Sequence, residues 1–393
     1  MAKDTIVPEI WASVPEMTAI RQKIHQHPEL GYEEFLTSEL VAEKLAEWGY
    51  AVHRGLGGTG VVGQLVNGDG PRLGLRADMD ALPITEATGL PYASVHEGRM
   101  HACGHDGHTA SLLAAAKHLA AHKPFKGTLN LIFQPAEEGM GGAKKMMDEG
   151  LFDLFPCDAI FGYHNMPGFP EGHFGFRAGP MMASSDNVSI RIQGQGGHGA
   201  MPQLSVDPVV VAASTVMALQ SIVARNVNPL DTAVITVGSI QAGKTNNVIP
   251  DYADMKLSVR ALNPEVRVLL EQRIKTVVQQ QAASFGATAT VDYDHTYPVL
   301  VNDQASTDFA REVAVATFGV EALIPDLQPL TGSEDFAFYL EACPGAYLLI
   351  GNGRAGTHGC SVHNPGYDFN DALLPIAATY WVRLAERFLM ANK

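Results

Sequence analysis

Cysteine is scarce: Cys103, Cys157, Cys343 and Cys360 are the four in 393 residues, and no C-x-x-C pair occurs. That excludes a disulfide-dense scaffold and suits reduced thiols. Basic residues are also few, 27 Lys and Arg against 42 Asp and Glu for a net charge of −15 with His neutral, and no basic run reaches three. Phosphate backbones are held by Lys and Arg, so nucleic acid is excluded as a partner. No apolar run approaches the ~20 residues of a membrane span, and the first thirty residues mix Lys, Asp, Glu, Pro and Trp without a signal-peptide core. The expectation is a cytoplasmic protein without a membrane partner. Neither a G-x-S-x-G nucleophile elbow nor a G-x-x-x-x-G-K-[ST] phosphate loop is present.

What remains is enough for folded cores, since 46% of the residues are hydrophobic and only 18% charged. A chain of 393 residues exceeds the ~250–300 at which single cores stop growing, so two domains are expected. Helical spacing runs through Met17, Ile20 and Ile24 to a break at His27-Pro28, and again from Thr37 to Trp48. Val61–Val66 and Arg72–Arg76 read as strands joined by the turn Asn67-Gly68-Asp69-Gly70, hence as a hairpin. Helix 107–122, strand 128–133, helix 143–149 and strand 159–164 then alternate, which predicts an α/β layer with helices covering a mixed, largely parallel sheet.

Near residue 184 the texture changes. Strand 187–193, helix 207–226, strands 233–240 and 253–262, helix 264–285 and strand 288–293 follow the β-α-β-β-α-β order of a ferredoxin-like α+β sandwich. The helix and strand rhythm returns after Tyr297-Pro298. The boundaries predicted are therefore a discontinuous catalytic domain, 1–183 with 297–393, and an inserted domain, 184–296.

The unusual abundance is histidine, 15 in all. Three of them lie in His101-Ala102-Cys103-Gly104-His105-Asp106-Gly107-His108, at an expected loop-to-helix boundary. Thiolate and imidazole suit Zn²⁺ and its neighbours, and Cys103 and His105 are close enough to serve one centre. Glu137 and Glu138 follow the strand that ends in Phe133. Adjacent side chains diverge, so one can ligate metal while the other takes a proton from water. His164 falls at the next strand end, and open α/β sheets place their sites outside the carboxyl ends of strands. Gly55-Leu56-Gly57-Gly58-Thr59-Gly60 satisfies G-x-G-x-x-G, but the β-branched run after it does not open a helix, so a nucleotide-dependent oxidoreductase is rejected. A non-catalytic metal-binding protein would not need both glutamates.

The segments Arg76-Ala77-Asp78-Met79-Asp80-Ala81-Leu82-Pro83, His101–Asp106, Gln134-Pro135-Ala136-Glu137-Glu138 and His363-Asn364-Pro365, with His25-Gln26-His27-Pro28-Glu29-Leu30 and Tyr367-Asp368-Phe369-Asn370 at either end, resemble the hippurate-hydrolase-like amidohydrolases of the aminoacylase/carboxypeptidase superfamily. The resemblance spans nearly the whole chain. It implies hydrolysis of small N-acyl amino acids, with a dipeptidase or carboxypeptidase as the alternative. It also implies two divalent ions (Zn, Mn, Co or Ni) held by Cys103, His105, Glu138, His164 and His363. Glu137 becomes the general base and Asp80 the carboxylate that orients a ligand. His198 would serve a partner subunit's site, Asn246 and Arg260 would hold the substrate carboxylate, and the inserted domain would be a lid and the contact of a homodimer, with tetramers possible. Asp78 departs from the wider superfamily, where most members have His, and this shifts the expected ligand set toward Cys103.

Overall fold

The computed structural model describes residues 3–390. In chain order its main elements are α1 (Pro8–Gln26), α2 (Phe35–Glu47), β1 (Ala51–Leu56), β2 (Gly60–Asn67), β3 (Arg72–Asp78), α3 (His105–His122), β4 (Gly127–Gln134), α4 (Gly142–Asp148), β5 (Ala159–Pro167) and β6 (Phe174–Gly175). Next come β7 (Ser185–Gln193), α5 (Pro208–Asn226), β8 (Ala233–Ala242), β9 (Tyr252–Ala261), α6 (Pro264–Ser284) and β10 (Thr288–Tyr297). The chain closes with α7 (Gln304–Phe318), α8 (Ala337–Ala342), β11 (Gly345–Gly353) and α9 (Leu373–Met390). It divides into two compact units, one of residues 1–179, 301–328 and 335–393, the other of residues 180–300 and 329–334.

The first unit is built on a seven-stranded mixed sheet of order β1-β2-β4-β3-β5-β11-β6. Four neighbouring strands, β4, β3, β5 and β11, run parallel. They are buried along nearly their whole length, as strands covered on both faces are. The helices α2, α3 and α9 lie against the sheet, α1 packs on α3 and α9, and α9 buries Trp381, Tyr380 and Leu384 in the same core as Leu75, Leu131 and Phe161.

The hairpin expected between the strands at 61–66 and 72–76 does not form. β4 lies between them, antiparallel to β2 and parallel to β3. A Gly-rich turn shows that the chain reverses, not that the flanking strands pair. The central place goes to β4, whose Leu129, Leu131, Ile132 and Phe133 are all fully buried. The hairpin is instead β1–β2, and the glycine run provides its turn: Gly57 and Gly58 have φ of 66° and 89°, a conformation open to glycine.

The second unit is an antiparallel sheet of order β8-β9-β7-β10 covered by α5 and α6, with a core that includes Ile190, Leu219, Val259 and Leu270. Strand exposure alternates residue by residue in β7 and β9, as one covered face requires. α5 has the length and mean hydropathy, 1.5, of a membrane span, contrary to the sequence expectation. Its Val211, Ala212, Leu219 and Ile222 are packed into this unit's core.

Candidate metal centre

β4, β3 and β5 are neighbours and parallel, so their carboxyl ends lie side by side. Asp78 ends β3, and Asp80 follows it. Glu137 and Glu138 follow β4. His164 lies inside β5 rather than at its end, because β11 continues the ladder past it to Pro167. The loop before α3 brings Cys103, the first residue of α3 is His105, and His363 arrives from the segment before α9.

These side chains form overlapping groups. The donor atoms of Cys103, His105 and His164 lie within 4.8 Å of one another, as do those of Cys103, Glu138 and His363, and those of His105, Glu137 and Glu138. Cys103 Sγ is 3.2 Å from His164 Nε2. His363 Nε2 is 3.2 Å from Glu138 Oε1. All seven first-unit residues singled out in the sequence are thus assembled in one place. His198, Asn246 and Arg260 belong to the second unit. His198 is exposed in a short ladder opposite Val248, and its Nδ1 accepts the Ala200 N–H at 3.1 Å. Asn246 is exposed as well. Arg260 is half-buried on β9 and donates to Ser333 Oγ at 2.8 Å, and burial lowers its pKa.

The electrostatics fit a cation at the cluster. Burial opposes charge on His105, yet Asp78, Asp80 and Glu138 push its pKa up to about 10. Burial and the nearby carboxylates of Glu138, Glu137 and Asp78 hold the Cys103 thiol far above its usual range. Burial, with His108 alongside, keeps His164 neutral. Among the described residues, the buried His105 Nε2 has no hydrogen-bond partner. Burying such an atom unpaired is costly, and a divalent ion satisfies it while favouring the thiolate. The second ring nitrogens are already committed. His105 Nδ1 faces Asp80 Oδ1 at 3.3 Å, and His164 Nδ1–H donates to the Asn165 carbonyl at 2.6 Å. This is the outer support that fixes a ligating imidazole's tautomer. The residues present therefore fit a divalent metal ion.

Two non-glycine residues here adopt left-handed backbone conformations, Ala136 at φ 53° and His363 at φ 62°. Such strain persists only where surroundings over-determine it. The His363 N–H donates to the Ala102 carbonyl at 2.7 Å, which ties its loop to that of Cys103.

Sequence reasoning missed the supporting network. His108 Nδ1 is 2.6 Å from Asp78 Oδ1, and its Nε2 is 2.7 Å from Asn165 Oδ1. Burial would raise the pKa of Asp78, but Arg76, His105 and His108 hold it well below the usual carboxylate range. Beneath the loop, Arg21 and His25 both reach Asp106, at 3.4 and 2.8 Å. Burial opposes the charge on His25, but Asp106 and Glu86 raise its pKa to about 9. The signal available was His25 in the early His-Gln-His-Pro segment and the three-residue step from His105 to His108.

An α/β unit with thiol, imidazole and carboxylate donors converging at the carboxyl ends of its parallel strands is a metallohydrolase. The chain belongs to peptidase family M20/M25/M40, whose model matches residues 74–387. It is 47% identical over 385 residues to hippurate hydrolase from Campylobacter jejuni, covering 98% of this chain and 99% of that protein. It is 41% identical over 380 residues to N-acetyl-L-cysteine deacetylase from Bacillus subtilis, covering 96% and 89%. The fold matches the crystal structure of YxeP from Bacillus subtilis, a dinuclear metal-binding peptidase of the M20 family, with a TM-score of 0.84, 34% identity and coverage of 96% and 99%.

Proposed function

We propose that this protein hydrolyses the amide bond of small N-acyl amino acids, of the N-benzoylglycine or N-acetyl type, to a carboxylate and a free amino acid. The observation that carries the reading is a buried carboxylate, Glu137, set beside the unsatisfied donor cluster. The activities named for the hippurate hydrolase and deacetylase relatives support the substrate class.

Two divalent ions, Zn, Mn, Co or Ni, held by Cys103, His105, Glu138, His164 and His363, would polarise the scissile carbonyl and acidify water when bound. Glu137 takes the proton from the attacking water and returns it to the departing amine nitrogen, the role of a buried carboxylate within reach of both. Asp80 accepts from His105 Nδ1–H and so aims Nε2 at the cluster. Arg260 offers a planar fork for the substrate carboxylate, with Asn246 as a further donor. A net charge of −15 repels anionic substrates at long range, so this local cation carries their recognition. His198 donates to the developing oxyanion from the partner subunit of a homodimer joined through the second unit, which also acts as a lid. Two such dimers pairing would make a tetramer. Four unpaired cysteines suit a cytoplasmic location.

The test is release of free amine from N-benzoylglycine, a panel of N-acetyl amino acids and a set of dipeptides, before chelation, after it and after restoring Mn²⁺ or Zn²⁺. Metal-dependent turnover of the N-acyl substrates is expected. Turnover of dipeptides alone, or none with any metal, would overturn the reading.

A further inference from the structure

Glu34 lies on none of the strands that carry the site, yet it reaches the residue next to Glu137. It is fully buried at the start of α2. One carboxylate oxygen accepts the Ala136 N–H at 2.8 Å, and the other accepts the Thr59 hydroxyl at 2.5 Å. Asp80 does the corresponding thing two residues on, its Oδ2 accepting the Glu138 N–H at 2.9 Å. The N–H groups of the residues on both sides of Glu137 are therefore each held by a buried carboxylate: Asp80 holds the peptide plane between Glu137 and Glu138, and Glu34 holds the plane between Pro135 and Ala136, one residue further back.

The segment so held is one that would not keep this shape unaided. Ala136 is in the left-handed region, at φ 53°. Its carbonyl accepts the Gly142 N–H at 2.9 Å, and the Glu137 carbonyl accepts the Gly139 N–H at 2.7 Å. A side chain at Gly142 would collide with the Pro135 carbonyl, and one at Gly31 would press on Ala136 Cα and Cβ at 3.1 Å. Close packing limits the loop's position, but the Glu34 bond settles the orientation of the peptide before Ala136.

We propose that Glu34 is a positioning residue: by gripping the Ala136 amide while anchored on Thr59, it sets the direction in which Glu137 and Glu138 present their carboxylates. This rests on the assignment of Glu137 as base and Glu138 as ligand. A residue that only stabilised the fold would lower the melting temperature and leave the folded, metal-loaded enzyme unchanged. A positioning residue moves kcat and metal affinity.

The experiment compares wild type, Glu34→Ala, Glu34→Gln and Thr59→Val, all well below their melting temperatures. It measures kcat and KM at saturating Mn²⁺ and, separately, the Mn²⁺ dissociation constant by calorimetry. In Glu34→Ala, kcat should fall about 10–100-fold with KM within threefold, and Mn²⁺ should bind about tenfold more weakly. Glu34→Gln should recover both to within about threefold, because its amide oxygen still accepts the Ala136 N–H and the Thr59 hydroxyl turns to accept from its nitrogen. Unchanged kcat and Mn²⁺ affinity in Glu34→Ala, or a Glu34→Gln as impaired as Glu34→Ala, would overturn the proposal. If Glu34→Ala does not fold, Thr59→Val decides, with a severalfold loss of kcat expected and an unchanged kcat overturning it. A wild type that hydrolyses no N-acyl amino acid would refute the proposed substrate, and the Mn²⁺ affinities would then decide the role of Glu34 alone.

Discussion

Replacing Asp80 by Asn should cost the site most of its grip on metal while leaving its shape nearly intact. Asp80 serves two donors at once, the His105 ring through Oδ1 at 3.3 Å and the Glu138 N–H through Oδ2 at 2.9 Å. A backbone N–H can only donate, so the Asn oxygen must turn to Glu138 and its NH₂ must face His105 Nδ1. The ring then accepts at Nδ1 and carries its proton on Nε2, the atom that has no hydrogen-bond partner and would ligate metal. Losing a hydrogen bond to a charged group costs about 1.5–3 kcal/mol. At about 1.4 kcal/mol per tenfold, that is roughly a 10–100-fold loss of affinity, the range observed when outer-shell partners of metal ligands are removed. Isothermal titration with Mn²⁺ and competition against a chelator would read it directly, and circular dichroism should stay unchanged. Affinity within twofold of wild type would refute the argument that Asp80 sets the His105 tautomer.

Glu137→Gln keeps volume and hydrogen-bonding capacity but cannot take a proton, so kcat should fall about 10²–10⁴-fold while bound metal, measured by elemental analysis, stays at the wild-type level. Arg260→Ala should raise KM for N-acyl amino acids by about 10–100-fold and leave hydrolysis of their carboxamide analogues unchanged; equal KM changes for both would remove Arg260 from carboxylate binding. His25 has a folded pKa of about 9 against an ordinary 6.5, so the stability its charge contributes is fully present below pH 6.5 and is lost as pH rises through 9. The melting-temperature gap between wild type and His25→Gln should therefore be widest near pH 6 and shrink by pH 10, and a gap that is constant over that range would show that His25 is not charged in the folded protein.

Much of the site was legible along the chain because ligand chemistry is tied to residue type. Cys103 and His105 are two positions apart, and Glu137 and Glu138 follow a mostly apolar run, 128–133, that reads as a strand. The β-α-β-β-α-β order likewise came from local periodicity, which reports which face of each element is covered. The misplaced hairpin shows the limit of such signals. Turn residues at 67–70 were read correctly as a reversal, but which strand lies next to β2 depends on β4, some sixty residues further on. α5 shows the converse, since its apolar composition satisfies a membrane span although one face of it packs in a core.

Residue types and their spacing along the chain were sufficient to point to Cys103, His105, Glu137, Glu138 and His164 as candidates and to an α/β layer followed by a β-α-β-β-α-β unit, because these depend on side-chain chemistry and short-range period. Folding alone decided how the donors are aimed. Glu34 grips an amide 102 residues away and Asp80 one 58 residues away, and His108, Asp78 and Asn165 meet from three separate elements. Hydrogen-bond direction is a property of three-dimensional placement, and no local pattern in the chain encodes it.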